Sequence, residues 1–235
     1  MFYPMYYDPT YVLVLIGVIL SLIASSRVKS TFAKYSQMRN TRGMTGAEAA
    51  QRVLQAAGIY DVRIEHVRGD LSDHYDPRSK VLRLSDSVYG QTSVAAVGVA
   101  AHECGHAIQH ARGYAPLKLR STLVPIANFG SQIAWPLILI GLLFNGNSST
   151  MFINLGIIAF LGAVLFHLIT LPVEFNASSR AIRMIADTGL MQGQEIVEAK
   201  KVLSAAALTY VASAATAILQ LLRILILTGG RRRDD

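Results

Sequence analysis

The sequence predicts a mainly α integral membrane protein that carries a small β-sheet, and three observations predict it. Hydrophobic residues make up 52% of the 235 positions and the mean hydropathy is +0.37, more apolar material than a simple soluble domain uses. That excess is gathered in blocks, two of them about twenty residues long, which is the length of a helix crossing the hydrocarbon core. Between the first block and the second, short stretches alternate polar and apolar residues and are separated by turn signals, as strands do.

Taken along the chain, Tyr11 to Ser25 is the first apolar run. It is short for a crossing unless the aromatic lead-in Phe2 to Tyr7 lies in the interface and extends it. Thr45-Gly46-Ala47-Glu48 is a capping box, and the helix it starts should stop at Gly58. Val62 to Val67 alternates like a strand, and Ser72 to Tyr75 and Val81 to Leu84 flank the turn Asp76-Pro77-Arg78-Ser79-Lys80. A small sheet follows, whose edge is of the kind that an extended peptide can join. Thr92 to Arg112 reads as one helix with Ser93 or Thr92 as N-cap, weakened only by Gly98 and Gly105. Val124 to Phe144 and Met151 to Leu171 form a transmembrane hairpin joined by the polar segment 145–150, and the alanine-rich run 203–228 either spans or packs. The whole of 1–235 reads as a single membrane-embedded domain: a first span at 11–25, a region 26–123 ending in the Thr92 helix, the hairpin 124–171, a helical segment 172–202 and the last apolar helix.

Orientation follows from lysine and arginine placement. No cation precedes the first run, whereas Arg27, Lys29, Lys34, Arg39 and Arg42 follow it, so the chain should start outside and continue in the cytoplasm. The lack of a basic lead also argues against a cleaved signal peptide. The uncharged 145–150 segment suits the outside, and Arg180, Arg183, Lys200 and Lys201 bring the chain back to the cytoplasm. Arg231, Arg232 and Arg233 oppose a spanning last helix, which favours partial insertion or packing. The formal charge of +7 is concentrated beside apolar runs, so anionic lipid headgroups explain it better than nucleic acid does.

The Thr92 helix spells His102-Glu103-Cys104-Gly105-His106. Residues four apart share a helix face, so His102 and His106 can aim at one cation while Glu103 lies beside its open position. Such a pair points to a zinc hydrolase, in which a third protein ligand and a water complete the metal. His110 lies more than two turns past His102, too far to close on the same ion. Arg112 stands where the metzincin pattern would put its further histidine, so that class is excluded. Downstream acids are Glu174, Asp187, Glu195, Glu198, Asp234 and Asp235. Glu174 stands out because it follows an apolar run directly, where a metal partner would offset the cost of burying a carboxylate. His167, two turns before Glu174 on the same face, is a further candidate for a proton donor or substrate contact. Cys104, the single cysteine, points off the metal face and reads as a packing residue.

The runs HECGHAIQHARGY, LPVEFNASSRA and KVLSAAALTYVASA together resemble the YugP-like bacterial membrane zinc metallopeptidases over nearly the whole chain. The order of parts is similar to the wider HtpX and CAAX prenyl protease group. That resemblance implies a gluzincin-like fold with an HExxH helix and a transmembrane hairpin. It also implies Zn2+ held by His102, His106 and Glu174, with Glu103 as general base. The wider group carries an acid four residues after the ligand glutamate, where this chain has Ser178, which puts that acid's supporting role in doubt and leaves open whether Asn176 replaces it. By the same comparison the Asp73-His74 stretch resembles the group's edge strand, and His74 and Tyr210 become candidates for oxyanion or substrate contact.

The reading is a multi-pass membrane endopeptidase that acts on peptides or membrane proteins near the cytoplasmic face. A non-catalytic metal-binding scaffold or regulatory protein is the alternative, but such a protein would not need Glu103. A small transporter would place more ionisable groups at mid-bilayer than His167 alone.

Overall fold

The computed structural model describes residues 8–144 and 146–229. In chain order the elements are α1 Tyr11–Ser36, α2 Gly46–Ala56, β1 Arg63–Val67, β2 His74–Asp76, β3 Val81–Ser85, α3 Val94–Ala111, α4 Ala115–Leu143, α5 Gly146–Asp187 and α6 Gln194–Gly229. They group into two compact units, one drawn from Met1–Ile23, Arg120–Ile169 and Val211–Asp235, the other from Ala24–Leu119 and Thr170–Tyr210. Each of the four long helices contributes residues to both.

The first unit is a helical bundle made for lipid. Its four helices are long and apolar enough to cross a membrane, yet only 11% to 28% of their most apolar windows is buried. Leu15, Leu22, Phe129 and Ile158 all point outward, a liability in water and the natural state in a bilayer. What holds the bundle is close approach of small residues around a core of Ala134, Ile138, Phe160, Val164, Ala217 and Ile224. At Gly130 a Cβ would stand 2.5 Å from the carbonyl oxygen of Ala159, so only glycine lets α4 lie this near α5.

Polar bonds tie α1 to α6 in the same unit. Thr216 Oγ1 donates to the Gly17 carbonyl at 3.2 Å, and Arg223 pairs with Asp8 at 3.0 Å while its guanidinium sits 4.3 Å from the Tyr11 ring centroid. Early residues of α1 meet late residues of α6, so the two run antiparallel. The second half of the last helix therefore packs beside the first. Arg231 to Arg233 lie outside the described residues, as does the aromatic lead-in Phe2 to Tyr7.

Element bounds differ from the sequence reading in several places: α4 starts at Ala115, ahead of Val124, and α6 starts at Gln194, so the segment 172–202 is the end of α5 and the start of α6. Helix α1 continues to Ser36, well past Ser25. The joining segment 145–150 is mostly the first turn of α5, which starts at Gly146; Ser149 Oγ donates back to the Gly141 carbonyl at 2.7 Å and so closes the corner. Helix α5 also runs through Pro172 to Asp187 without a break. A proline costs a helix one backbone bond, a loss that membrane helices tolerate where neighbours make it good.

The second unit is a small α+β fold. The Thr45 and Glu48 capping box starts α2, whose Ala50, Val53 and Leu54 pack with Val97, Ala101, Cys104 and Ala107 of α3 and with Ile185, Leu190 and Ala199. The sheet order is β1-β3-β2. Strand β3 is parallel to β1 and antiparallel to β2, with His74 opposite Arg83 and Asp76 opposite Val81. Its central place explains why four of its five residues are buried. Asp76 makes the expected turn by accepting from the Arg78 amide at 2.9 Å and from Ser79 Oγ at 2.6 Å. Strands β1 and β2 are the two edges of the sheet, and β2 lies next to α3.

Candidate metal centre

Helix α3 begins where Ser93 Oγ accepts from the Ala96 amide at 3.1 Å and ends at Arg112. Its interior is buried almost throughout, so its polar residues are held in an apolar shell. His102 and His106 stand one turn apart with ring centroids 4.8 Å apart and planes nearly perpendicular. The facing side chain comes from α5. Glu174, 2% exposed, brings Oε2 to 3.3 Å from His102 Nε2 and 3.5 Å from His106 Nε2.

Glycine makes this meeting possible. A Cβ on Gly105 would lie 2.5 Å from the Ala177 carbonyl oxygen and 3.1 Å from two further backbone atoms of that residue. The sequence reading took Gly105 only as a weakness of the helix; it is the point at which α3 closes on α5.

Both imidazoles are held from behind. Gln109 Nε2 donates to the Val173 carbonyl at 2.8 Å and to Asn176 Oδ1 at 3.0 Å, which leaves Gln109 Oε1 to accept from His106 Nδ1 at 3.0 Å. A proton on Nδ1 turns the Nε2 lone pair toward Glu174. Ser178 Oγ lies 3.1 Å from His102 Nδ1 and serves that ring in the same way. Ser178 thus orients a histidine without an acid, and Asn176 acts one step further back, on Gln109. Gln109 was missed from sequence, although a polar residue three positions past His106 inside an apolar helix is a usable signal.

Two imidazole nitrogens and a carboxylate oxygen are a zinc donor set, and these three atoms lie within 4.8 Å of one another. A tetrahedral zinc at its usual bond lengths sets ligand atoms about 3.3–3.6 Å apart, which the two nitrogen to oxygen distances match. The surroundings also favour a cation. Burial works against a charged His106, but the Glu174 bond and the charges of Glu103 and Glu174 outweigh it and raise that imidazole above its ordinary value.

Glu103 follows the first histidine and is 8% exposed. No described protein group hydrogen-bonds it. Its charge reaches Asp73 just before β2. There burial pushes the carboxyl up, the Ser85 amide at 2.7 Å and Ser85 Oγ at 2.9 Å pull it down, and Glu103 adds to the rise. Cys104 is fully buried, donates to the Ala50 carbonyl at 3.5 Å, and has its thiol pushed well up by burial and then by Glu103.

The remaining candidates stand elsewhere. His110 does not join the three donors; its Nδ1 meets the Tyr75 hydroxyl at 2.8 Å, a phenol pushed up to about 12 by burial and by Asp61 and Asp76. His74 is exposed on the edge strand, with Nδ1 at 2.8 Å from the Ser72 carbonyl and Nε2 at 3.4 Å from Arg83. Tyr210 is half-buried in α6, and His167 is half-buried in the membrane unit beside the Phe166 ring.

Comparison with known proteins places this geometry in a family. The family described as "Putative neutral zinc metallopeptidase" matches residues 10–229. "Putative membrane protease YugP" of Bacillus subtilis (strain 168) is 51% identical over 213 residues, which cover 90% of this chain and 93% of that relative. No solved structure matches.

Proposed function

We propose that this chain, which belongs to that zinc metallopeptidase family, is a membrane-embedded endopeptidase of the gluzincin type, hydrolysing peptide bonds near the cytoplasmic face. The observation that supports it most is the closure of His102, His106 and Glu174 around one point, with the buried Glu103 on the same turn of α3. A scaffold would need the three ligands but has no use for a second carboxylate, Glu103, beside them.

His102, His106 and Glu174 would hold the zinc. When bound, zinc supplies Lewis-acid chemistry, making a water acidic near neutral pH and polarising the scissile carbonyl. Glu103 takes the proton of the attacking water and passes it to the leaving nitrogen. Gln109 and Ser178 keep the two imidazoles in the productive tautomer. The sheet edge at β2, the one beside α3, is the edge suited to an extended substrate, and His74, Tyr210 and His167 are the candidates for oxyanion or substrate contact.

Glu103→Gln should retain the metal and lose turnover by about 100- to 10,000-fold, the usual worth of a general base. Metal content and peptide hydrolysis measured on the same purified sample decide it. Loss of both together would remove Glu103 from the role assigned.

The cytoplasmic placement rests on the charge bias around α1 and after Arg180. The antiparallel packing of α6 on α1, with Arg223 neutralised by Asp8, supports a fourth crossing. In a Cys104→Ala background, a membrane-impermeant thiol reagent should label Asn147→Cys from outside and spare Gly43→Cys. The reverse pattern would put the site on the other face.

A further inference from the structure

Helix α5 carries a second polar cluster, joined to the supports of the metal centre only through the Arg180 to Asn176 bond. At about 100° per residue, Arg180 and Arg183 lie about 240° and about 180° around the helix from Glu174, so they face away from the triad. With Arg112, at the end of α3, they line a cavity of about 160 Å3 whose other walls are Ile108, Met184 and Asp187. That is smaller than the ~300–1,000 Å3 typical of organic ligand sites, and it suits a small charged group.

Three guanidiniums meet there, and among the described residues none is in an ion pair, Asp187 at the wall included. Two of them are braced. Arg180 Nε donates to Asn176 Oδ1 at 2.7 Å and Arg183 Nε to the Ser179 carbonyl at 3.3 Å, each four residues back on the same helix. The Arg180 guanidinium also stands 5.8 Å from the Tyr114 ring centroid. Fixing a guanidinium through Nε leaves its terminal NH2 groups, and among the described residues these make no hydrogen bond. Uncompensated like charges held together cost free energy, and a planar fork of donors is the geometry that takes an oxyanion by two bonds at once.

We propose that the Arg112, Arg180 and Arg183 cavity binds a phosphate-bearing anion. The bilayer supplies that chemistry as the headgroup of an anionic phospholipid, and the solution supplies it as free phosphate. The cavity lies between the end of α3 and α5, itself one of the four helices apolar enough to cross a membrane, so the lipid is the source within reach.

The test uses the full chain, zinc-loaded, in neutral detergent. Thermal unfolding is followed while dioctanoyl phosphatidylglycerol, dioctanoylglycerol or inorganic phosphate is added at constant ionic strength. The phospholipid should raise the melting temperature of the wild type and the diacylglycerol should not, because ligand bound only to the folded state stabilises it. Arg112→Gln with Arg183→Gln leaves Arg180 to hold Asn176. This variant should melt no lower than the wild type without lipid, since it relieves the like-charge repulsion, and should require at least roughly tenfold more phospholipid for the same shift, about a factor of ten being one charge-assisted bond. Lys29→Gln with Lys34→Gln removes equal charge elsewhere and should keep the wild-type response. A response to inorganic phosphate alone keeps the anion site and overturns the lipid as its source. No response in the wild type, an unchanged response in the arginine variant, or an equal loss in the lysine variant overturns the site.

Discussion

The two units bury different things. In the membrane unit the interior is wholly apolar at its core, Ile138, Phe160, Val164 and Ile224 with alanines between them, and many other large apolar residues face out. In the other unit the interior holds Glu103, Gln109, Glu174 and Ser85, polar groups that an apolar core tolerates only when their partners are in place. Both nonetheless bring helices together by the same device, a glycine at which a Cβ would meet a carbonyl oxygen at 2.5 Å. The lesson is that close approach serves packing in one unit and places a ligand in the other, so equal steric insults should have unequal chemical consequences.

The largest effect expected is at Glu174. Glu174→Ala removes a donor from the triad and should abolish zinc retention through purification, whereas His110→Ala, whose ring meets Tyr75, should leave it near wild type. Gln109→Ala should fall between, at about 10- to 100-fold weaker metal binding, since it removes only the partner of a ligand. Metal analysis after dialysis against graded chelator ranks the three. If His110→Ala proves the costly one, the triad is misassigned.

The glycine pair tests the comparison directly. Gly105→Ala and Gly130→Ala each force a Cβ against backbone that cannot rotate away, and overpacking of this kind costs about 1–3 kcal/mol. Both variants should lower the melting temperature. Only Gly105→Ala should also release zinc, because there the displaced backbone, at Ala177, is within one turn of Glu174, whereas Ala159 opposite Gly130 lies about four turns before it on the same helix. Equal loss of metal in both would erase the distinction between the units.

How much of this was legible in the sequence follows the same division. The HExxH turn, the capping box at Thr45 and the turn at Asp76 are local, with cause and effect within a few residues, and they stand in the structure as read. Glu174 was legible for a different reason, since an acid at the edge of an apolar run needs a partner. Ser178 was not identified as a support, because it acts across the α3 to α5 contact and a single sequence carries no register between distant helices, whereas Gln109 bonds His106 within α3 and its spacing was there to be read. The value of Gly105 was hidden likewise, as helix propensity sees only the cost of a glycine. The start of α5 at Gly146 was misplaced because Asn, Ser and Thr read as loop, and their role in closing a helical corner appears only with Gly141 opposite Ser149.

The smallest effect expected is at Asp73, beside the edge strand. Its carboxyl is raised chiefly by burial, against the pull of two bonds from Ser85, with the Glu103 charge adding to the rise. Folding therefore disfavours its ionised form. The sign follows: stability from the protonated acid is present below the unfolded value and is lost as pH climbs from there through the higher folded value. Asparagine can keep both bonds, with Oδ1 accepting from the Ser85 amide and Nδ2 donating to Ser85 Oγ, and it carries no charge to desolvate. Asp73→Asn should accordingly melt a little above the wild type at pH 7, with the gap closing toward pH 4, where the wild-type acid is itself increasingly protonated. Loss of zinc in acid affects both proteins and cancels in the difference. Paired melting curves at several pH values measure that difference. A gap that is constant with pH, or a variant less stable at pH 7, would show that the two Ser85 bonds already hold Asp73 as a carboxylate at no cost, and that this polar group, unlike the metal triad, is fully compensated without any cation.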